Sequence, residues 1–133
     1  MSKVTLSLPM EPDFELVATD MASALAGLKD FPSDKIDEIK MAVIEACINA
    51  FEHSQSRDRK ITVSIDPRPD RLIIVISDRG HGFGIDPAAA GPRELPSGRR
   101  RGFGLRIIKA MMDDVKVESD DRGTRIVMVK KKE

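Results

Sequence analysis

Leu72-Ile73-Ile74-Val75-Ile76-Ser77-Asp78-Arg79-Gly80-His81-Gly82-Phe83-Gly84 is the stretch on which the fold turns. Five consecutive apolar residues read as a strand over Arg71–Ser77, and a run with no polar interruption predicts burial on both faces. The strand runs into an acid and then into glycines at alternate positions. Residues without a Cβ let backbone approach a flat ligand closely. A carboxylate at the strand end can accept from an exocyclic amine, as on adenine. Taken alone, the same residues are equally a Gly-rich turn beside an ordinary Asp. Residues 78–104 hold seven of the nine glycines and three of the eight prolines and show no periodicity, a pattern of functional or mobile segments.

Upstream, Lys60–Ile65 reads as a second strand, joined to the first through Asp66-Pro67-Arg68-Pro69-Asp70 as a hairpin loop. Before it lies a helical pattern from Ser33 to His53, with Ser33 as N-cap and Asp34 favouring the positive end of the dipole. Phe14, Val17, Met21, Leu25 and Leu28 recur at helical spacing, which predicts an amphipathic helix over 13–28 packed through that stripe. Val4, Leu6 and Leu8 alternate, a half-buried strand ended by Pro9. Downstream come a short helix over 103–112 and two strands, 115–118 and 124–130, meeting at Asp120-Asp121-Arg122-Gly123. The order β-α-α-β-β-loop-α-β-β predicts an α+β fold: a two-layer sandwich, its sheet mostly antiparallel, its helices on one face.

The chain has 133 residues, a length that reads as one domain, 1–133. Lys and Arg number 22 and Asp and Glu 22, so no bulk charge draws it to nucleic acid or a membrane surface. Trp and Tyr are absent, which argues against a base-stacking surface. No apolar run is long enough to span a bilayer, and the N-terminus lacks the shape of a signal peptide. Cys47 is the single cysteine, too few for an internal disulfide, and fits a reducing cytoplasm. The terminal Lys130-Lys131-Lys132 reads as a solvated end.

Within helix 33–53, Glu45 and Asn49 stand four apart on one face, near the line of Glu38 and His53, against an apolar background. On spacing alone this is a solvated face, with His53 a surface group at a fraying end. The sharper reading turns both residues into a wet cleft. There Asn49 offers a neutral oxygen to a hard cation such as Mg²⁺, and Glu45 can deprotonate a nucleophile. Later, Arg101-Gly102-Phe103-Gly104-Leu105 opens a helix, where exposed N–H groups and the dipole favour phosphate. Three arginines, Arg99 to Arg101, stand just before it, a solubilising loop or a screen for a triphosphate. A Walker loop, the protein-kinase signature set and a Rossmann fingerprint are all missing.

The ordered set Glu45-Ala46-Cys47-Ile48-Asn49-Ala50-Phe51-Glu52-His53, Asp78-x-Gly80-x-Gly82, Gly102-Phe103-Gly104-Leu105 and Gly123-Thr124 resembles the GHKL ATPase superfamily, which shares the Bergerat nucleotide fold with its mixed, mostly antiparallel sheet. Within it the chain is similar to the small bacterial anti-sigma factor serine/threonine kinases, and the resemblance covers nearly its whole length. It implies ATP and Mg²⁺ as cofactors, phosphorylation of a serine on a small anti-sigma-factor antagonist, and partner switching between that antagonist and a sigma factor. It also implies Glu45 as general base and Asn49 as both nucleotide contact and Mg²⁺ ligand. Asp78 becomes the adenine-reading acid, with Gly80 and Gly82 beside the base. Arg101, Gly102, Gly104 and Leu105 fall on the phosphate side, Thr124 near the adenine pocket, and residues 84–101 form the ATP lid. Members often pair as homodimers, and the edge of the first strand could join another copy. Two other readings stay open: a nucleotide-gated binding module without phosphotransfer, and a switch kinase acting on a stress scaffold. Residues 11–30 contain no Arg and only Lys29 as a basic residue, unlike the charged docking region of the family.

Overall fold

A computed structural model describes residues 2–54, 56–79, 93–94, 100–101 and 103–133. The elements are β1 (Val4–Pro9), α1 (Phe14–Leu28), α2 (Ser33–His53), β2 (Lys60–Pro67), β3 (Arg71–Asp78), β4 (Arg93–Glu94), β5 (Arg100–Arg101), α3 (Phe103–Met111), β6 (Asp114–Asp120) and β7 (Gly123–Lys131). Five strands form one sheet in the order β1-β2-β3-β7-β6. The α+β sandwich expected from the sequence is present, and every pairing described in the sheet is antiparallel. In the segment that shows no periodicity, β4 and β5 pair antiparallel.

Alternation along the central strands builds the core. Ile61, Val63 and Ile65 of β2, Leu72, Ile74 and Ile76 of β3, and Ile126 and Met128 of β7 are buried on the helical side. They meet Ile39, Val43, Ala46 and Ala50 of α2, Ala22 and Leu25 of α1, and Ile108 of α3 in one cluster. Burying side chains of this size stabilises by about 1.5–3 kcal/mol each.

The expectation that β3 is buried on both faces does not hold. Ile73 and Val75 are only half-buried, because no second layer formed by the described residues covers that side of the sheet. They sit opposite Val129 and Val127, so four β-branched side chains shelter one another. The α1 stripe holds in part: Leu25 is buried and Phe14 and Met21 pack against the core, while Val17 and Leu28 are 44% and 67% exposed, and Ala18, Ala22 and Ala26 complete the buried face. Small side chains let α1 lie close to α2, a reason for burial that hydrophobicity does not register. Ser33 is the first residue of α2 and not its N-cap; Pro32 takes that position and no side chain caps the helix. Lys130 is no solvated end: its side chain is 6% exposed and faces Glu38 at 3.5 Å. Its ammonium also donates to the carbonyl of Met111, tying the last residue of α3 to β7.

Candidate nucleotide site

The C-terminal half of α2 carries the expected residues past two neighbours. Glu45 is half-buried, and one turn later Asn49 is only 8% exposed, which removes the solvated-face reading for it. The Asn49 amide lies against the start of α3. A Cβ built on Gly104 would stand 2.9 Å from both Asn49 Nδ2 and Oδ1. A glycine is needed there for the amide to reach the first turn of α3, where backbone N–H groups have no partner within the helix. Leu105, also buried, anchors that turn from below. His53 is buried too, not the surface group that its place at the helix end suggested.

Asp78 closes β3 and is buried. Its Oδ1 accepts the Thr124 N–H at 2.7 Å, and its Oδ2 accepts the hydroxyl of Ser54, the residue that ends α2. The β7 backbone comes this close only because residue 123 is glycine. Gly123 has φ +143°, and a Cβ there would sit 2.1 Å from the Asp78 carbonyl oxygen. The Thr124 hydroxyl hydrogen-bonds that of Ser119 at 2.9 Å. Thr124 is therefore fixed through both its backbone and its side chain.

The fold thus brings together two pairs, Asn49 with Gly104 and Asp78 with Thr124. Residues 49 to 53 of α2, roughly 6 Å along the helix axis, and Ser54 just past them join the two pairs. Gly80, Gly82 and Gly102, the Arg101 side chain, and lid residues 84–92 and 95–99 lie outside the described residues. Sequence reading missed Ser54, although a hydroxyl residue just past the Glu45–His53 stretch was visible as a signal. It also missed the tie that Lys130 makes at the far end of α3.

A cleft of about 440 Å³ opens on the face of the sheet away from the helices, lined by Ser7, Lys60, Thr62, Ser77 and Arg79 with Asp58 and Asp78. It contains neither Asn49 nor Thr124, so the expected site is not centred on it. The Ser56 hydroxyl and then the Lys60 N–H hold the Asp58 carboxyl below its ordinary range. Among the described residues no cluster of three His, Cys, Asp or Glu side chains could hold a metal ion alone. A cation here would take one protein oxygen and complete its shell with phosphate and water. That is how Mg²⁺ is usually bound beside a nucleotide, and the Asn49 amide in its glycine cradle fits the role. No described helix is long and apolar enough to cross a membrane.

Residues 9–130 match the histidine kinase-like ATPase domain family. The serine-protein kinase RsbW of Listeria innocua is 33% identical over 136 aligned residues, covering 96% of this chain and 86% of the relative. RsbW of Bacillus subtilis is 29% identical, covering 96% and 84%. Among solved structures, the RsbU and RsbW domains of Rv1364c from Mycobacterium tuberculosis align with a TM-score of 0.73 at 16% identity. That likeness covers 98% of this chain and 32% of the other, and it speaks for the fold.

Proposed function

This chain belongs to the histidine kinase-like ATPase domain family, within the GHKL superfamily, and from that premise we propose that it is an ATP-binding anti-sigma factor with serine-protein kinase activity. The observation that carries the reading is the Asp78 carboxylate, held by Thr124 and Ser54 at the end of the helix whose Asn49 meets the glycine turn of α3. Asp78 accepts from the 6-amino group of adenine, and its partners keep it turned as an acceptor. The first turn of α3 offers N–H groups to phosphate oxygens. Bound Mg²⁺ would neutralise charge on the phosphates, with the Asn49 oxygen as its one protein contact. Glu45, a turn away on the same face, takes the proton of the incoming serine hydroxyl. Transfer of this kind is mostly positioning and electrostatics, which suits a site assembled from the ends of packed elements. The Arg101 side chain, Gly80, Gly82 and Gly102 belong to this proposal by sequence alone.

The reading takes residues 1–133 as one ATP-binding kinase domain acting in the cytoplasm. Its protein partners are a small anti-sigma-factor antagonist, which carries the target serine, and a sigma factor. A homodimer through β1 suits the place of that strand at the sheet edge among the described residues, together with the exposed Val4, Val17 and Leu28. The deciding experiment incubates the protein with labelled ATP, Mg²⁺ and a purified antagonist domain. Phosphate on an antagonist serine, lost in Glu45→Ala by on the order of 10²–10⁴ in rate with nucleotide binding retained, is the expected result. A stable complex without transfer would replace the kinase with a nucleotide-gated binding module. Transfer at the wild-type rate in Glu45→Ala would remove Glu45 as the base.

A further inference from the structure

Ser54 stands where the two halves of the site meet. It is the first residue past α2, its N–H bonds back to the Ala50 carbonyl at 2.9 Å, and its backbone is already extended. The direction of its hydroxyl is set from both sides. The oxygen accepts the Ser56 N–H at 3.0 Å, which leaves its own proton to go to Asp78 Oδ2. The other carboxylate oxygen is held by the Thr124 N–H. A carboxylate bonded through each oxygen by a different element cannot rotate without breaking one of those bonds. Thr124 alone would leave it a hinge.

This matters for what Asp78 can read. An ionised carboxylate only accepts, and each of its oxygens has lone-pair capacity beyond one hydrogen bond. Locked as it is, the group presents acceptor density to a ligand and nothing else. An adenine ring brings an amino donor to that point, whereas hypoxanthine and guanine bring a carbonyl oxygen. Acceptor against acceptor leaves two polar groups unpaired in a buried place, and sites built to hydrogen-bond a group reject analogues that lack it. A carboxylate free to turn aside would relax that penalty.

We propose that Ser54 is a positioning and specificity-determining residue, whose hydroxyl fixes the Asp78 carboxylate so that the site accepts 6-amino purine nucleotides and rejects 6-oxo ones. The inference rests on the nucleotide reading above and adds to it a residue outside the motifs that suggested that reading.

The test measures ATP and ITP affinity by calorimetry on the full chain for wild type, Ser54→Ala and Ser54→Thr, with thermal melting of each protein as a check of folding. Hydrogen bonds to a charged group are worth enough that losing this one should weaken ATP binding about tenfold. ITP binding should change much less, so the ATP-to-ITP ratio narrows in Ser54→Ala. Ser54→Thr, which keeps the hydroxyl, should restore both affinity and ratio. Equal weakening for both nucleotides would make Ser54 structural only and overturn the inference. So would an unchanged ratio in a folded Ser54→Ala, or a Thr variant no better than Ala. A wild-type protein that binds neither nucleotide would remove the nucleotide reading first and this inference with it. Wild-type ATP binding with an indifferent Ser54→Ala would remove the inference alone.

Discussion

Gly104→Ala tests the seam between α2 and α3 with one methyl group. The added Cβ would lie 2.9 Å from Nδ2 and Oδ1 of Asn49 and 3.2 Å from its Cγ. Ordinary contact begins near 3.4 Å, so the amide must retreat by about half an ångström, or α3 must. Asn49 is buried, so its amide cannot simply swing into water. Overpacking of this kind costs about 1–3 kcal/mol. Part is returned, because Ala is better than Gly in a helix by roughly 0.5–1 kcal/mol. The net loss of stability should therefore be small, about 0–2.5 kcal/mol. Function should suffer more. A misplacement of about 1 Å can cost on the order of 10²-fold, and half of that displacement should cost roughly tenfold in Mg-ATP affinity or transfer rate. The assay is calorimetric titration with Mg-ATP beside chemical denaturation, on Gly104→Ala, Asn49→Ala and the double variant. If the clash is the cause, the double variant is more stable than the sum of the single losses predicts, since removing the amide makes room for the methyl. Gly104→Ala with wild-type affinity, or strictly additive stabilities in the double variant, would refute the proposed contact.

Gly123→Ala should destabilise the fold by about 2–4 kcal/mol, because backbone strain and overlap with the Asp78 carbonyl act together; denaturant unfolding measures it, and a loss below 1 kcal/mol (roughly the smallest value either effect alone would give) would be too little. Lys130→Ala leaves the Met111 carbonyl without its charged donor and should cost about 1–3 kcal/mol, whereas Glu38→Gln, at the more exposed end of the pair, should cost under about 1 kcal/mol. Burial, and after it the charge of Glu15, pushes the Cys47 thiol up to about 12. The thiolate is the reactive form, so at pH 8 a thiol reagent should label native protein far more slowly than unfolded protein; equal rates would mean that Cys47 is not buried in solution.

Much of the architecture was legible because it is written in alternation. β1 and β2 declare their faces by period, and their ladder places Leu8 and Ile61 on the helical side as that period requires. β3 misled because its outward residues are apolar as well, and composition cannot tell a covered face from four β-branched side chains sheltering one another. α1 misled in part for the opposite reason: its buried face includes Ala18, Ala22 and Ala26, which carry little hydrophobic signal however tightly they pack. At the site, Glu45, Asn49, Asp78 and Thr124 stood out as members of an ordered set of motifs. No single one of them could be told from a surface acid or a turn. Ser54 offered only its place just past the Glu45–His53 stretch, and Lys130 offered nothing, since each acts through a contact with a distant element.

Strand β7 works as a ruler. Thr124, whose N–H holds the Asp78 carboxylate, and Lys130, which fastens the last turn of α3, are marks on one extended segment, roughly 20 Å apart at the usual rise. β3 and β6 flank that segment on either side, so its length cannot change without unzipping a ladder. The gap between the two marks is accordingly the same whatever the molecule is doing. Any stretching or shortening of the site must be absorbed by chain that lies off the ruler.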